Sequence, residues 1–174
     1  MENLFKNFKQ SALRIETLPL YKEDMEDIEY YNFINGEPVE YGDKEWIGNL
    51  KRWTSQGKII KRIRIVSDIL TTYEKYEFFC YHKNCLAGEK IFVMPRNEYE
   101  KIVDRKDRFD YWIFDESTIC KINYNNEGRY LGYTIIEEDA KKYVDLFYLL
   151  EKQRIFDYKE VIKKINNSKI KINF

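Results

Sequence analysis

Histidine is almost missing from this sequence, because His82 is the only one in 174 residues. Since histidine is the side chain whose ordinary pKa suits proton transfer near neutral pH, acid–base chemistry has few candidates. The three cysteines, Cys80, Cys85 and Cys120, lack the paired C-x-x-C spacing of zinc and redox sites. The patterns G-x-x-x-x-G-K-[ST], G-x-G-x-x-G, H-E-x-x-H and G-x-S-x-G are absent as well. We therefore expect no catalytic residue, no metal ligand and no cofactor.

Proline, glycine and long apolar runs are also scarce. With 3 proline and 7 glycine residues, the chain has little room for a flexible linker between domains. Its length suits one hydrophobic core, so the sequence predicts a single domain over 1–174. No apolar run approaches the roughly 20 residues of a membrane helix, and the N-terminus lacks the pattern of a secretion signal. We expect a cytoplasmic protein that has no contact with a membrane.

Charge is balanced in total but unevenly distributed along the chain. The formal net charge is +0, yet segment 23–45 holds nine acids against one Lys44. The following segment, 46–67, has no acid and six basic residues, which are Lys51, Arg52, Lys58, Lys61, Arg62 and Arg64. The two segments either neutralise each other across the fold or leave a basic patch that binds anions. The sequence leaves both interpretations open.

The spacing of apolar residues predicts alternating helices and strands. Helices are predicted over 23–35, 44–56, 72–84, 96–104 and 137–153, with a last amphipathic segment over 158–165. Strands are predicted over 59–66, 90–94, 111–114, 118–124 and 129–136. A strand, a helix and a strand in succession give neighbouring parallel strands, whereas tight turns join the later strands as antiparallel pairs. We therefore predict an α/β fold with a mixed β-sheet flanked by helices.

Local signals mark the ends of several elements. Thr71 and Glu74 have the spacing of a capping box, which predicts a helix that begins at Thr72. Gly36 and Gly57 follow the first two predicted helices as C-terminal stops. The expected regions of the single domain are a helical N-terminal region (1–57), an α/β core (58–153) and a C-terminal helix with a basic tail (154–174).

Two acids between apolar runs raise the question whether they act in chemistry or only turn the chain. They are Asp115 and Glu116, and Ser117 follows them. Asp and Ser supply oxygens that stabilise tight turns. An acid pair with no basic or nucleophilic neighbour in sequence is weak evidence for catalysis. The local pattern therefore favours a turn.

Four segments together carry a resemblance to a known family: FKQSALRIET (8–17), RIRIVSD (62–68), LAGEKIFVMP (86–95) and FDYWIFDE (109–116). As a set they resemble a bacterial family, domain of unknown function 6879, over most of the chain. None of them is a catalytic signature. Genes of that family often lie beside helix-turn-helix regulators, so the resemblance implies a regulator of this kind as protein partner.

A more distant similarity is to the phospholipase-D-like fold. Segments 112–115 (WIFD) and 147–150 (FYLL) resemble a strand and a helix of that fold. Its active members use an H-x-K pattern in which the histidine attacks phosphate, whereas His82 here is followed by Lys83 and Asn84. The resemblance therefore implies a phospholipase-D-like fold that is catalytically degenerate, and a fold by itself carries no function.

Two arginines of the predicted strand 59–66 are the main candidates for binding. Arg62 and Arg64 share one face of the strand, about 7 Å apart at two steps of about 3.3 Å each. Such a pair can clamp a phosphate, a carboxylate or an acidic segment. The alternative is that the two arginines form ion pairs with Glu16, Glu89 or Asp115.

Other residues can belong to the same site. Arg14 and Glu16 are alternate residues that point the same way on an extended strand, so we expect them in the same polar cluster. Tyr73, Tyr76 and Trp112 can wall a pocket, although aromatic residues at such spacings are more often core.

These observations favour a non-catalytic binding or regulatory protein that acts with a helix-turn-helix transcription regulator. One alternative is an enzyme or toxin that acts on nucleotides or nucleic acid through Arg62, Arg64 and Asp115. Another is a sensor in which the same arginines hold a small anionic ligand. Direct nucleic-acid contact through 46–67 or 159–171 is a secondary expectation, because the net charge is zero and no reading helix is recognisable.

Overall fold

The computed structural model describes residues 1–39, 43–153 and 156–161 and shows a single α/β domain. The helices are α1 (Glu2–Asn7), α2 (Lys22–Met25), α3 (Ile28–Asn35), α4 (Lys44–Ser55), α5 (Thr72–Leu86), α6 (Arg96–Ile102) and α7 (Ala140–Glu151). The strands are β1 (Ser11–Glu16), β2 (Ile59–Val66), β3 (Lys90–Pro95), β4 (Tyr111–Phe114), β5 (Thr118–Tyr124), β6 (Tyr130–Ile136) and β7 (Phe156–Asp157). Within these ranges, no helix has the length and apolar character to cross a bilayer.

The strands form one mixed sheet. Over the described residues its order is β6-β5-β4-β1-β2-β3-β7. Helical connections separate β1, β2 and β3, and these three strands run parallel. Tight turns join β4, β5 and β6 as antiparallel neighbours, and β4 also pairs antiparallel with β1. The first strand of the chain therefore lies in the middle of the sheet.

One face of the sheet carries a hydrophobic core. Leu13 and Ile15 of β1 alternate onto this face, as do Ile63 and Ile65 of β2, and all four side chains are fully buried. Phe147 of α7 belongs to the same buried cluster. Because full burial of such a side chain contributes about 1.5–3 kcal/mol, this layer is a main source of stability.

The opposite face combines apolar and charged side chains under α4 and α5. At one end of this face, Ile60 of β2 packs with Leu50 and Trp53 of α4. In the middle, strand alternation buries four charged residues, which are Arg14, Glu16, Arg62 and Arg64. Buried charges of this kind need partners within the protein.

Most predicted elements lie where the sequence places them. The bounds of β2, β4 and β5 are the predicted ones, and those of β3 and β6 differ by one residue. The capping box is confirmed: Glu74 N donates to the Thr71 hydroxyl at 3.1 Å, and Thr71 N donates to Glu74 at 2.8 Å. Gly36 ends α3 with a φ of 71°. Local capping chemistry therefore predicts the start of α5 and the end of α3, whereas α5, α6 and α7 each end two residues from the predicted position and α7 begins three residues later than predicted.

Two predictions for the N-terminal region need correction. The helix predicted over 23–35 is two helices, because Asp27 starts α3 by accepting from Glu29 N at 3.0 Å. Residues 1–57 are not simply helical, since β1 lies among them and forms the centre of the sheet. Of the predicted C-terminal region and the segment 158–165, only residues 156–161 lie within the described ranges.

The tip of the β5–β6 hairpin packs closely against the loop before α2. The Gly128 carbonyl accepts from Lys22 N at 3.1 Å, and a Cβ at position 128 would lie 2.8 Å from the Leu20 carbonyl oxygen. Gly128 has a φ of 81°, and Gly36 has a similar φ of 71° with no atom within 4 Å of an added Cβ. The two glycines therefore differ in crowding but not in backbone conformation.

We predict that Gly128→Ala lowers the free energy of unfolding more than Gly36→Ala. Both changes carry left-handed backbone strain of about 1–2 kcal/mol, and only the first adds a clash with backbone. Urea unfolding of the two variants measures the difference. Equal losses would contradict the close approach of the hairpin to the loop.

Candidate functional site

An open pocket of about 800 Å³ lies over the charged face of the sheet. Its floor contains Arg14 and Glu16 of β1 and Arg62 of β2. The aromatic residues of the lining are Tyr21, Trp46, Tyr76, Tyr81, Tyr124 and Tyr130. The further acidic residues of the lining are Glu23, Asp24, Asp27, Glu29, Asp43 and Glu77. The pocket thus combines an ionic floor with aromatic and acidic walls.

The register of β1 and β2 creates the floor. Arg14 lies beside Arg62 in the parallel pair, and Glu16 lies beside Arg64. Because these residues occupy alternate positions, all four side chains point to the same face. The Glu16 carboxylate pairs with Arg62 across the strands and with Arg14 along its own strand at 3.4 Å. One carboxylate cannot balance three arginines, so other elements must supply further acids.

Arg62 is held by two carboxylates and an aromatic ring. Its Nη1 donates to Glu16, and its Nε donates to Glu89 at 2.8 Å. Asn84 fixes that second carboxylate by donating to it at 2.9 Å. The guanidinium carbon lies 5.2 Å from the centroid of the Tyr81 ring, which is within cation–π range.

Arg64 is fully buried, and all three of its nitrogens have partners. Its Nε and Nη2 donate to Glu77 at 2.9 Å and 2.6 Å, and its Nη1 donates to the Leu18 carbonyl oxygen at 2.6 Å. The residue is 0% exposed and does not belong to the pocket lining. The clamp in which Arg62 and Arg64 together hold one anion therefore does not form.

Arg14 has one nitrogen without a hydrogen-bond partner in the part of the chain that the structure describes. Its Nη2 donates to Asp110 at 2.9 Å and to the Tyr124 hydroxyl at 3.2 Å, and its guanidinium carbon lies 5.5 Å from the Trp112 ring centroid. Within the described residues its Nη1 has no hydrogen-bond partner, although Arg14 is only 5% exposed. Because a buried donor without an acceptor costs about 1–3 kcal/mol, an acceptor atom of a ligand would be stabilising here.

Two central carboxyl groups have pKa values shifted in opposite directions. Burial raises the pKa of Glu16, but the charges of Arg62, Arg14 and Arg64 outweigh burial and hold it at about 2. Burial raises the pKa of Glu77 to about 8, and the charge of Glu16 adds to this against the effect of Arg64. Near neutral pH the protonated form of Glu77 is therefore favoured, and in that form the carboxyl still accepts hydrogen bonds from Arg64.

The acids of segment 23–45 do not neutralise the basic segment that follows. Asp27 and Asp43 accept backbone N–H groups at the starts of α3 and α4. Asp24 accepts from the Tyr73 hydroxyl at 2.5 Å. Within the described residues, the ion pairs of segment 46–67 are with acids outside 23–45. Five of these acids, Glu23, Asp24, Asp27, Glu29 and Asp43, line the pocket. Glu23 and Glu26 also pair with Arg129, at 3.9 Å and 2.6 Å.

The basic segment 46–67 does not form one continuous surface either. Arg62 and Arg64 are buried in the charged cluster. Lys61 points to the other face of the sheet and pairs with Glu151 at 2.6 Å, and Lys58 donates to a backbone carbonyl at 2.6 Å. The basic patch that the sequence allowed is therefore dispersed over two faces.

Four of the predicted site residues meet in the charged cluster: Arg14, Glu16, Arg62 and Arg64. Trp112 lies against this cluster but packs among the apolar residues of α1 and α4 and does not line the pocket. Tyr73 packs behind the wall, where it contacts Tyr21 and donates to Asp24. Tyr76, three residues further along α5, does line the pocket.

Asp115 lies at the other end of β1 and shapes a turn. Its carboxylate accepts the backbone N–H groups of Lys9 and Gln10 at 2.7 Å and of Ser11 at 3.0 Å. Burial raises the pKa of Asp115, but these three hydrogen bonds outweigh burial and lower it. Asp115 and Glu116 have left-handed backbone, with φ of 51° and 53°, so the predicted turn is present. The predicted contact of this aspartate with the two arginines of β2 is wrong.

Sequence reasoning missed the groups that complete the cluster. Glu77 and Tyr81 lie one turn apart on the buried side of α5, at the same spacing from Tyr73. Polar residues at i and i+4 on a helix face that packs on the sheet are the signal that could have found them. Asp110 has no such signal, because 96 residues separate it from Arg14.

The pocket offers binding groups rather than an activated nucleophile. Cys80 lines it, but burial raises the pKa of this thiol, which keeps it protonated near neutral pH. His82 is exposed on α5 and does not line the pocket. Along the stretches of chain that the structure describes, no group of three His, Cys, Asp or Glu residues is placed to hold a metal ion.

The fold and the site define a single-domain α/β protein with an acidic, aromatic pocket over a buried ionic cluster. The family model described as Domain of unknown function (DUF6879) matches residues 1–153, so the chain belongs to this family. The resemblance of the four sequence segments to this family is thereby confirmed. No curated protein matches the chain. No solved structure matches it either.

We predict that Glu16→Gln destabilises the protein by about 3–5 kcal/mol, because it leaves buried arginine charge without its carboxylate. The matched change Glu77→Gln is expected to cost less than half as much, since Glu77 is mainly protonated at pH 7 and an amide resembles that form. Urea unfolding at pH 7 measures both losses. An equal loss for the two variants would contradict the opposite pKa shifts.

The pH dependence of stability provides a separate prediction. A carboxyl whose pKa is raised from 4.5 to about 8 binds more protons in the folded state, so its contribution is complete below pH 4.5 and is lost as the pH rises through about 8. We expect the free energy of unfolding to decline over this window in the wild type, and Glu77→Gln to flatten the decline. Urea unfolding across the pH range measures it, and an unchanged slope in the variant would contradict this assignment.

Proposed function

We propose that this protein is a non-catalytic binding protein whose pocket takes up a cationic group, such as an ammonium or a guanidinium. The observation that carries the proposal is the charge of the wall, which is lined by five acids, Glu23, Asp24, Asp27, Glu29 and Asp43. A single arginine, Arg129, lies 3.9 Å from Glu23, so the acids of the wall outnumber the basic group beside them within the described residues. The arginines of the floor already pair with other carboxylates. Because a concave surface with one sign of charge attracts ligands of the opposite sign, this wall favours a cation.

Asp24 illustrates the excess of negative charge. Its side chain is solvent-accessible, and the group that donates to it, the hydroxyl of Tyr73, is neutral. Partial desolvation in the pocket raises the pKa of Asp24, and the charges of Glu16, Glu23 and Asp27 add to that shift. A cation beside Asp24 would offset this repulsion.

The aromatic wall suits the same kind of ligand. Trp46, Tyr76 and Tyr130 contribute rings to the lining. A cation over an aromatic face gains about 0.5–2 kcal/mol, and the gain is larger where water is excluded. Carboxylates and rings around one cavity therefore support the recognition of a cation.

The floor adds a second requirement for the ligand. Nη1 of Arg14 has no partner within the described residues, so it can donate to an oxygen that a ligand supplies. A ligand with a cationic group and a nearby carbonyl or hydroxyl oxygen would satisfy both the wall and the floor. Amino-acid derivatives and peptides have this combination.

The same contacts count against the alternatives based on anions. The nitrogens of Arg64 are occupied by protein acceptors, and Asp115 lies in a turn at the other end of β1. The cluster expected for an enzyme or toxin that acts on nucleotides is therefore not assembled. A small anionic ligand would meet the carboxylates of the wall before it reached the floor.

The family resemblance provides the biological context of the proposal. The expected partner is a helix-turn-helix regulator, a kind of protein that exposes lysine and arginine to bind DNA phosphates. Such a partner could supply the cationic group. The regulator, a role in transcription, a cytoplasmic location and the phospholipase-D-like fold stay predictions from the sequence. Co-purification of the two chains would test the partnership.

We expect small cations, and not anions, to raise the Tm of the protein. The probes are N-acetyl-arginine amide and spermidine, with inorganic phosphate and citrate for comparison. A ligand at about 100 times its Kd adds about 2.7 kcal/mol to the stability. Asp24→Asn is expected to weaken binding of the cations about tenfold, because it removes one charge of the wall.

The matched control for that experiment is Asp145→Asn, because Asp145 is an exposed acid on α7, over the other face of the sheet. Scanning fluorimetry and titration calorimetry measure stability and affinity. If phosphate stabilises the protein while neither cation does, the proposal fails and the anion sensor is favoured.

A further inference from the structure

Strand β6 forms one edge of the sheet and exposes apolar side chains. It pairs with β5 on one side, and within the described residues no strand lies on its other side. Leu131 is 65% exposed, Tyr133 41% and Ile135 39%. The strand Tyr130–Ile136 contains no charged residue. Proteins usually protect a sheet edge with charges, proline or a covering segment. Strand β6 has no charge and no proline, and within the described residues no strand covers it, so this edge can accept a further strand.

The backbone groups of Tyr133 and Ile135 point to the open edge. Ile122 of β5 donates its N–H to the Asp110 carbonyl, in the direction of β4. In the antiparallel ladder, Ile122 lies opposite Tyr133, and Cys120 lies opposite Ile135. Since hydrogen-bonding groups alternate in direction along an antiparallel strand, the N–H and C=O groups at these two positions of β6 face away from β5.

The open edge begins at the pocket. Tyr130, the first residue of β6, lines the pocket, and its N–H donates to Glu23 at 2.9 Å. Helix α2 therefore contacts β6 at this end, and among the residues that the structure describes no strand pairs with this edge from Leu131 onwards. A segment that pairs with Tyr133 and Ile135 would have one end at the acidic wall.

We infer that the cationic group is a lysine or arginine side chain of an extended partner segment that adds to β6 as a strand. This inference rests on the proposed function and names the ligand of the same pocket. Backbone hydrogen bonds to β6 would give affinity, and apolar residues at alternate positions would cover Tyr133 and Ile135. The basic residue at the pocket end would contact the acids of the pocket wall, and a carbonyl oxygen of the segment could accept a hydrogen bond from Nη1 of Arg14.

A second copy of this chain fits the edge less well. In an antiparallel β6–β6 pair, Arg129, which precedes β6, would lie beside the C-terminal end of the other β6, away from its pocket. Arg129 also pairs with Glu26 of its own chain at 2.6 Å. Since β6 itself has no cation to offer, the charge of the pocket does not favour a β6–β6 pair.

The test compares a designed peptide with a small cation on two matched variants. The peptide has nine residues, alternating threonine and valine with one arginine near an end, and is made with the arginine at either end. Norleucine in place of arginine is its control, and N-acetyl-arginine amide is the small probe. Ile135→Pro removes an N–H that faces the open edge, which an edge strand tolerates, whereas Ile135→Val keeps it.

We expect one of the arginine peptides to bind at least tenfold more tightly than the small probe. Norleucine, and methylation of alternate peptide nitrogens, should each weaken the peptide about tenfold. Ile135→Pro should have the same effect on the peptide and none on the small probe, while Ile135→Val should bind both like the wild type. Because methylation leaves the protein unchanged, the result holds even if Ile135→Pro unfolds.

Other outcomes overturn the inference in distinguishable ways. If the small probe binds and the peptides bind no better, the pocket takes a free cation and only the strand addition fails. If neither the small probe nor any peptide binds the wild type, the proposed function fails as well. If sedimentation shows a dimer of the wild type that Ile135→Pro abolishes, the occupant of the edge is a second copy.

Discussion

Positive charge buried in the middle of the sheet is the constraint on which the rest of the structure depends. Arg64 is 0% exposed, and removing a guanidinium from water costs several kcal/mol unless protein groups replace the solvent. The surrounding elements provide those groups: α5 turns Glu77 inward, β1 provides Glu16, and the residue before β4 is Asp110. The buried side of α5 therefore includes Glu77 and Asn84, whereas the buried residues of α7 on the other face are apolar or aromatic. The composition of α5 follows from the charge that it covers.

The buried arginines take their partners from within the cluster. The net charge of the chain therefore says little about the electrostatic potential at its surface. A formal charge of +0 would suggest a neutral surface. The pairing instead uses the basic residues of β2 in the interior and leaves the acids around α2 and α3 on the wall of the pocket. Local neutrality in the floor and local excess of negative charge on the wall follow from the same set of ion pairs.

Local patterns in the sequence predict the elements but not the partners of the charges. Alternation places Arg62 and Arg64 on one face, and the capping box gives the start of α5, because both depend on neighbours in the chain. Asp115, which the sequence allowed as a partner of Arg62 or Arg64, does not reach the cluster, whereas Asp110, five residues earlier, pairs with Arg14. Since β4 runs antiparallel to β1, the end of β4 lies at the start of β1, and only the beginning of β4 reaches the cluster. Which end of β4 meets the cluster depends on how distant strands pair, and a single sequence does not show that pairing.

The raised pKa of Glu77 would couple the protonation of the pocket floor to the charge of a ligand in the pocket. Glu77 belongs to the lining, and burial raises its pKa to about 8, so near neutral pH it keeps a proton that a nearby positive charge would help to displace. A bound cation would favour the ionised carboxylate and lower this pKa, and by linkage the cation would bind more tightly as the pH rises towards 8. A bound anion would raise the same pKa and bind more weakly over that range. The direction in which the affinity changes with pH therefore distinguishes a cationic ligand from an anionic one.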